Sequence, residues 1–157
     1  MYQILLSLIL FMTHSLIQQD ITKPHIIIVD IDWTVAHKWS RSPYNYSKVI
    51  EDTPYNDIIR ILSMLSKSYE IWFVTGRPES CRQDTSQWLR THIPFKCSFL
   101  AMRATWDKRP DNIIKHEIAQ DIALEYYIFA VFDDRDRVVK MWREAWIRCL
   151  QVQEWDF

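Results

Sequence analysis

Apolar residues fall along this chain in two kinds of run, short unbroken ones and longer ones spaced as on a helix. The first unbroken run, His25-Ile-Ile-Ile-Val29, predicts a strand over about 25 to 30, and similar runs predict strands over 70 to 75, 97 to 101, 127 to 132 and 147 to 152. Between them the spacing predicts helices. One carries Ile58, Ile61, Leu62 and Leu65 behind a cap at Thr53, and a second covers 79 to 91 with Trp88 and Leu89 inward. A third repeats Ile114, Ile118 and Ile122, and a fourth holds Val138, Val139 and Trp142. Strands that are apolar throughout need cover on both faces, and strand alternating with helix implies an α/β architecture, a doubly wound Rossmann-like parallel sheet. In such a sheet ligands bind outside the carboxyl ends of the strands.

Those ends are where this sequence places its reactive groups. The first strand runs into Asp30-Ile-Asp32-Trp-Thr34, two carboxylates one residue apart, which suits a metal-assisted nucleophile in phosphoryl transfer. A calcium loop fits poorly, since its sixth position is Val35 where glycine is required. The second strand ends in Thr75-Gly76-Arg77: a hydroxyl, the only glycine of the chain, and a fixed cation. Spending that glycine here suggests a close backbone approach to a ligand. Lys115 lies one helical turn after Asp111, on the same face, as a positioned cation would. The strand at 127 to 132 ends in Asp133-Asp134, adjacent acids that stay ionised most easily with a cation between them.

Taken in order, D-x-D-x-T, T-G-R, Lys and D-D resemble the haloacid-dehalogenase-type phosphatases, and within them the 3'-phosphatase half of bacteriophage polynucleotide kinase/phosphatase. The residues that carry the resemblance are Asp30 to Thr34, Arg41-Ser-Pro-Tyr44, Thr75 to Arg77, Arg109 to Lys115, Asp133 to Arg143, Gln151-Val152 and Asp156-Phe157, so it covers about 25 to 157. Trp33 departs from the pattern, standing where that family has a small glycine. No G-x-x-x-x-G-K-[ST] is present, so ATP-driven phosphorylation is not supported.

The resemblance implies a Mg²⁺-dependent phosphoric monoester hydrolase. Asp30 would be the nucleophile that forms an aspartyl-phosphate, with Asp32 as acid and base. Asp30, the Asp32 carbonyl and Asp133 or Asp134 would hold Mg²⁺, Asp134 being the preferred direct ligand. Lys115 and Arg77 would offset transition-state charge, with Thr75 giving a hydroxyl hydrogen bond. Thr34, Arg41 and Asp111 would complete the substrate site, Arg41 clamping the phosphate and Asp111 orienting Lys115. The stretch from Thr34 to Thr53 is too short for a large cap, so a minimal cap and an open cleft are expected, suited to the 3' end of DNA or RNA. Two other readings are a phosphatase of nucleotides or other small phosphomonoesters, and a catalytically silent metal-binding module in which Trp33 crowds the loop.

Composition narrows this further. The 157 residues, 48% hydrophobic, suffice for one core, and the formal charge of −1 argues against tracking of long duplexes, so a polynucleotide would be held at its end. Two basic and aromatic clusters could serve a strand: Arg103, Lys108, Arg109 and Lys115 with Trp106, and Lys38, Arg41 and Lys48 with Trp39, Tyr44 and Tyr46. Cys81, Cys97 and Cys149 form no C-x-x-C, which disfavours a zinc site or a disulfide framework. Residues 1 to 24 read as an apolar segment of signal-like character, either a helix packed on the domain or an extension outside it ending at Pro24. Its run 4 to 12 is too short to span a bilayer and has no Lys or Arg before Lys23, so cytoplasmic residence is expected ahead of secretion, without membrane insertion.

Overall fold

The computed structural model describes residues 16–38, 41–42 and 45–155. Five parallel strands form the central sheet: β1 (His25–Val29), β4 (Glu70–Pro78), β5 (Cys97–Arg103), β6 (Tyr127–Arg135) and β7 (Cys149–Trp155), in the order β5-β4-β1-β6-β7. Between β1 and β4 lie two short antiparallel strands, β2 (Ala36–His37) and β3 (Thr53–Pro54), joined through a 3-10 turn at Tyr46–Glu51. Four α-helices complete the fold: α1 (Asn56–Leu65), α2 (Arg82–His92), α3 (Asp111–Ala123) and α4 (Asp136–Glu144). The expected doubly wound α/β sheet with a minimal cap is therefore present.

Alternation along β1 decides the layers. Ile26 and Ile28 enter a core with Trp72, Ile122, Val138, Val139 and Trp142, beneath α3 and α4. Ile27 and Val29 enter a second core with Phe73, Ile59, Leu62, Trp88 and Leu89, beneath α1 and α2. The period of two along a strand sends successive side chains to opposite faces, so a run of isoleucines feeds both cores.

Three details differ from the sequence reading. Thr53 does not cap α1; it pairs with His37, and the helix begins at Asn56. Extending Thr53 is favoured by the following proline, and the Tyr55 amide is held by the Val35 carbonyl at 2.9 Å. On α1 the inward positions are Ile59 and Leu62, while Ile61 is 41% exposed. Finally, β4 and β6 run past their apolar stretches to Pro78 and Arg135, with pairing irregularities at Thr75/Pro78 and Asp133/Arg135 that place polar side chains inside the sheet's upper edge.

Residues 16 to 24, for which a helix packed on the domain or an extension outside it was expected, make contacts with the domain without forming a helix. Ile17 is buried, Gln19 Oε1 accepts the Ile128 amide at 2.7 Å, and Lys23 Nζ donates to the Leu124 carbonyl at 2.7 Å. The apolar run 4 to 12 lies outside the described residues. Among the described residues no helix is long and apolar enough to cross a membrane.

Burial predicts the stability map. Leu89→Ala, in the second core, should cost about 2–5 kcal/mol, whereas Leu124→Ala, at a residue 68% exposed, should stay within about 0.5 kcal/mol, as read from urea denaturation midpoints.

Candidate active site

The carboxyl ends of β1 and β6, neighbours in the sheet, bring Asp30, Asp133 and Asp134 together. One carboxylate oxygen from each lies within 4.8 Å of the others, and all three residues are buried. From α3, on one side of the sheet, Lys115 reaches over this group, and its Nζ donates at 2.7 Å to both Asp30 Oδ1 and Asp133 Oδ2. Asp133 is further engaged by the Trp142 indole N–H at 3.3 Å and by the Asp134 amide at 3.0 Å. The Asp134 carboxylate receives no hydrogen bond among the described residues, and its carbonyl accepts Gln151 Nε2 at 2.9 Å.

Three acids facing one ammonium leave an uncompensated negative charge in a dry place. Burial pushes the Asp30 carboxyl well above its ordinary value, Lys115 opposes this, and Asp133 and Asp32 push it further. Asp134 is raised by burial first and then by Asp30 and Asp133. Burial favours a neutral Lys115, but Asp133 and Asp30 outweigh it and keep the ammonium charged far above its usual range.

A second ionic group stands beside the first. Asp32 accepts Arg77 through Nη2 at 2.8 Å and Nε at 3.1 Å, with Lys38 at 3.2 Å and Arg41 at 3.3 Å. Burial raises its proton affinity, yet Arg77, then Lys38 and Arg41, overcome that and hold it below the ordinary carboxylate range. The two guanidiniums are themselves oriented by Asp52, which is buried. Arg41 grips it in a fork at 2.7 Å on each oxygen, and Arg77 Nη2 adds a third bond at 2.7 Å. Trp88 Nε1 fixes the Asp52 carbonyl at 2.6 Å. Sequence reasoning missed Asp52; its one signal is an acid directly before Thr-Pro in a loop that carries Arg41, Tyr44 and Tyr46.

The cleft above these groups has a volume of about 290 Å³. Asp30, Asp32, Asp111, Lys115, Asp133 and Asp134 line it, and of the first basic cluster so do Arg103, Lys108 and Arg109. Trp106 of that cluster stands 79% exposed beyond the wall. Lys38 and Tyr46 of the second cluster also line the cleft, while Lys48 pairs with Glu51 at 3.7 Å, and Trp39 and Tyr44 lie outside the described residues.

Five of the expected site residues stand back from that wall or differ in partner. Arg41 and Arg77 are sequestered against Asp32 and Asp52. Thr75 Oγ accepts the Arg77 amide at 3.2 Å, and Thr34 is fully buried with no hydrogen-bond partner for its hydroxyl among the described residues. Asp111 makes no hydrogen bond to Lys115; it receives Arg135 at 2.6 Å and Arg137 at 2.9 Å, and acts on Lys115 through its charge alone. A Cβ on Gly76 would touch Asp111 Cβ at 3.4 Å, so the glycine brings β4 against the start of α3 as well as opening the cleft.

Comparison with known proteins gives the family. Residues 24–157 match the family described as polynucleotide kinase PNKP phosphatase domain. A protein of Autographa californica nuclear polyhedrosis virus named for a bifunctional polynucleotide kinase/RNA ligase is 33% identical over 125 residues, which are 77% of this chain and 18% of the relative. Among solved structures, a chain of the Pnkp1/Rnl/Hen1 RNA repair complex superposes with a TM-score of 0.83 at 35% identity, covering 89% of this chain and 46% of that one. The class C acid phosphatase of Bacillus anthracis shares the fold, with a TM-score of 0.52, 18% identity and coverage of 71% of this chain and 52% of that one. This chain thus spans about a fifth of the viral relative and about half of the solved chains. With its acids, lysine and arginines in these places, the chain belongs to the polynucleotide kinase phosphatase-domain family, phosphoric monoester hydrolases of the haloacid-dehalogenase type.

Proposed function

We propose that this protein removes the 3'-phosphate from polynucleotide ends, using Mg²⁺ and an aspartyl-phosphate formed on Asp30. The observation that carries the reading is the convergence of Asp30, Asp133 and Asp134 under Lys115 at one sheet edge, beside an Asp32 held by three cations. The names of the relatives, a polynucleotide kinase/RNA ligase and an RNA repair complex, support a DNA or RNA end as substrate and nucleic-acid repair as the setting.

The three carboxylates fit a hard divalent cation, offering oxygen donors only, and among the described residues no donor engages the Asp134 carboxylate. Bound by Asp30, Asp134 and the Asp32 carbonyl, Mg²⁺ would neutralise the acids and polarise a phosphoryl oxygen. Asp30 then attacks phosphorus in line, which divides one difficult hydrolysis into two easier steps. Lys115, fixed by its two acids, faces the phosphoryl oxygens as charge spreads over them. Asp32 gives a proton to the leaving oxygen and later takes one from water. An entering phosphate draws on Lys38, the one of the three cations that lines the cleft, which loosens its grip on Asp32 and lets the carboxyl carry that proton. Asp52 keeps Arg41 and Arg77 in place throughout.

A phosphate-release assay tests the reading. With Mg²⁺, the protein should turn over a 3'-phosphorylated oligonucleotide more efficiently than a nucleoside 3'-monophosphate or an aryl phosphate, and Asp30→Asn should abolish turnover on all three while leaving the circular dichroism spectrum unchanged. Preference for the small esters would assign it instead to small-molecule phosphatases, and no turnover on any would make it a silent module.

Metal linkage gives a second test, independent of turnover. A carboxyl raised on folding stabilises fully only below its unfolded pKa and loses that contribution as pH rises through the folded value. The metal-free protein should therefore lose stability as pH climbs from the ordinary carboxylate range to just above neutrality, and Mg²⁺ should restore it. Asp134→Asn should raise the metal-free Tm at pH 8 and remove most of the Mg²⁺-induced increase, as followed by differential scanning fluorimetry.

A further inference from the structure

Trp33 stands in the tight turn after β1, one residue past Asp32, with φ at 62°. That left-handed region costs a bulky residue free energy and costs glycine none. The turn imposes it: the amides of Thr34, Val35 and Ala36 all return to the Ile31 carbonyl at 3.3, 3.0 and 2.9 Å, and the Trp33 amide closes on the Ala36 carbonyl at 2.8 Å. Among the described residues one other non-glycine shares this conformation, Trp146 at 63°. Its position is explained by helix termination, since the amides of Trp146 and Ile147 cap carbonyls in the last turn of α4.

Trp33 has no such duty to a helix, and the half-buried residue lines the cleft together with Asp30 and Asp32. It is also braced. The ring centroid lies 4.6 Å from that of His37, edge-on at 85°, and His37 in turn lies 5.3 Å from Tyr55 at 81°. A side chain already held in place gives up little freedom when a ligand packs on it. Backbone strain kept beside reacting groups points to a use. The surrounding walls are mainly charged and serve phosphate and metal, so the indole supplies apolar surface for whatever the phosphate is attached to.

We propose that Trp33 is a specificity-determining residue whose indole packs against the base of the substrate's terminal nucleotide, an inference that rests on the polynucleotide phosphatase reading above. Every nucleobase presents a π face, so stacking there recognises a nucleotide end without reading its sequence. It also explains how a chain with balanced charge prefers a nucleotide end to a bare phosphomonoester.

The test uses two 3'-phosphorylated oligonucleotides that differ only in whether the terminal nucleotide carries its base or is abasic, with p-nitrophenyl phosphate as a third substrate. Wild-type kcat/KM should be higher on the base-bearing end by about tenfold, the scale of one base–aromatic stack. Trp33→Gly, which suits a φ of 62°, should make the two ends equal, and Trp33→Phe should recover most of the preference. Trp33→Asn, also at home in this conformation, repeats the comparison should the glycine variant fold poorly. A wild type that treats both ends alike, or a Gly or Asn variant that keeps the preference, overturns the proposal and leaves the phosphatase reading standing. Turnover of the aryl ester with neither oligonucleotide hydrolysed overturns that reading and this proposal together.

Discussion

The ammonium of Lys115, set between Asp30 and Asp133 at 2.7 Å from each, is the contact on which the site depends. Without it three buried carboxylates would face one another across less than 5 Å with no ion pair to any of them among the described residues. Mutual repulsion in a dry edge would force protons onto them or drive the ends of β1 and β6 apart. The lysine removes part of that repulsion and leaves the remainder as a demand for a divalent cation. Its position is decided by α3, whose Ile114, Ala119 and Ile122 are buried against the sheet, so the packing that stabilises the helix also aims the charge.

The second ionic group follows the same logic with the signs reversed. Around Asp32 and Asp52 the cations Lys38, Arg41 and Arg77 outnumber the acids, leaving a positive excess beside the negative one. Under the proposed function a phosphate monoester would span the two, its anionic oxygens toward the positive excess and the acids toward a divalent cation. Specific chemistry thus arises from an imbalance that the fold keeps apart at a distance of two residues along β1's continuation, at Asp30 and Asp32.

How much of this could be read from sequence depended on whether a residue's role is local. Asp30, Asp133 and Asp134 close apolar runs, and apolar runs in an α/β alternation end at a common edge, so their meeting was legible. Lys115 was legible from its helical repeat. Asp52 was not, because its partners lie 11 and 25 residues away and nothing periodic surrounds it. Thr53 looked like a helix cap, with a proline next as caps often have, yet pairing with His37 needs the extended form and gained the residue for β3. The reach of β4 through Thr75-Gly76-Arg77 was hidden for a related reason: polar strand ends carry no hydrophobic signal, and only the partner strand reveals them.

The tie between Arg41, Asp52 and Arg77 has a mechanical meaning. It bolts the short insertion holding β2 and β3 to β4, and the Trp88 indole anchors the same carboxylate residue's backbone to α2. An insertion fastened at that many points by buried charge pairs does not swing as a hinged lid does, so a ligand would meet a wall that is already set.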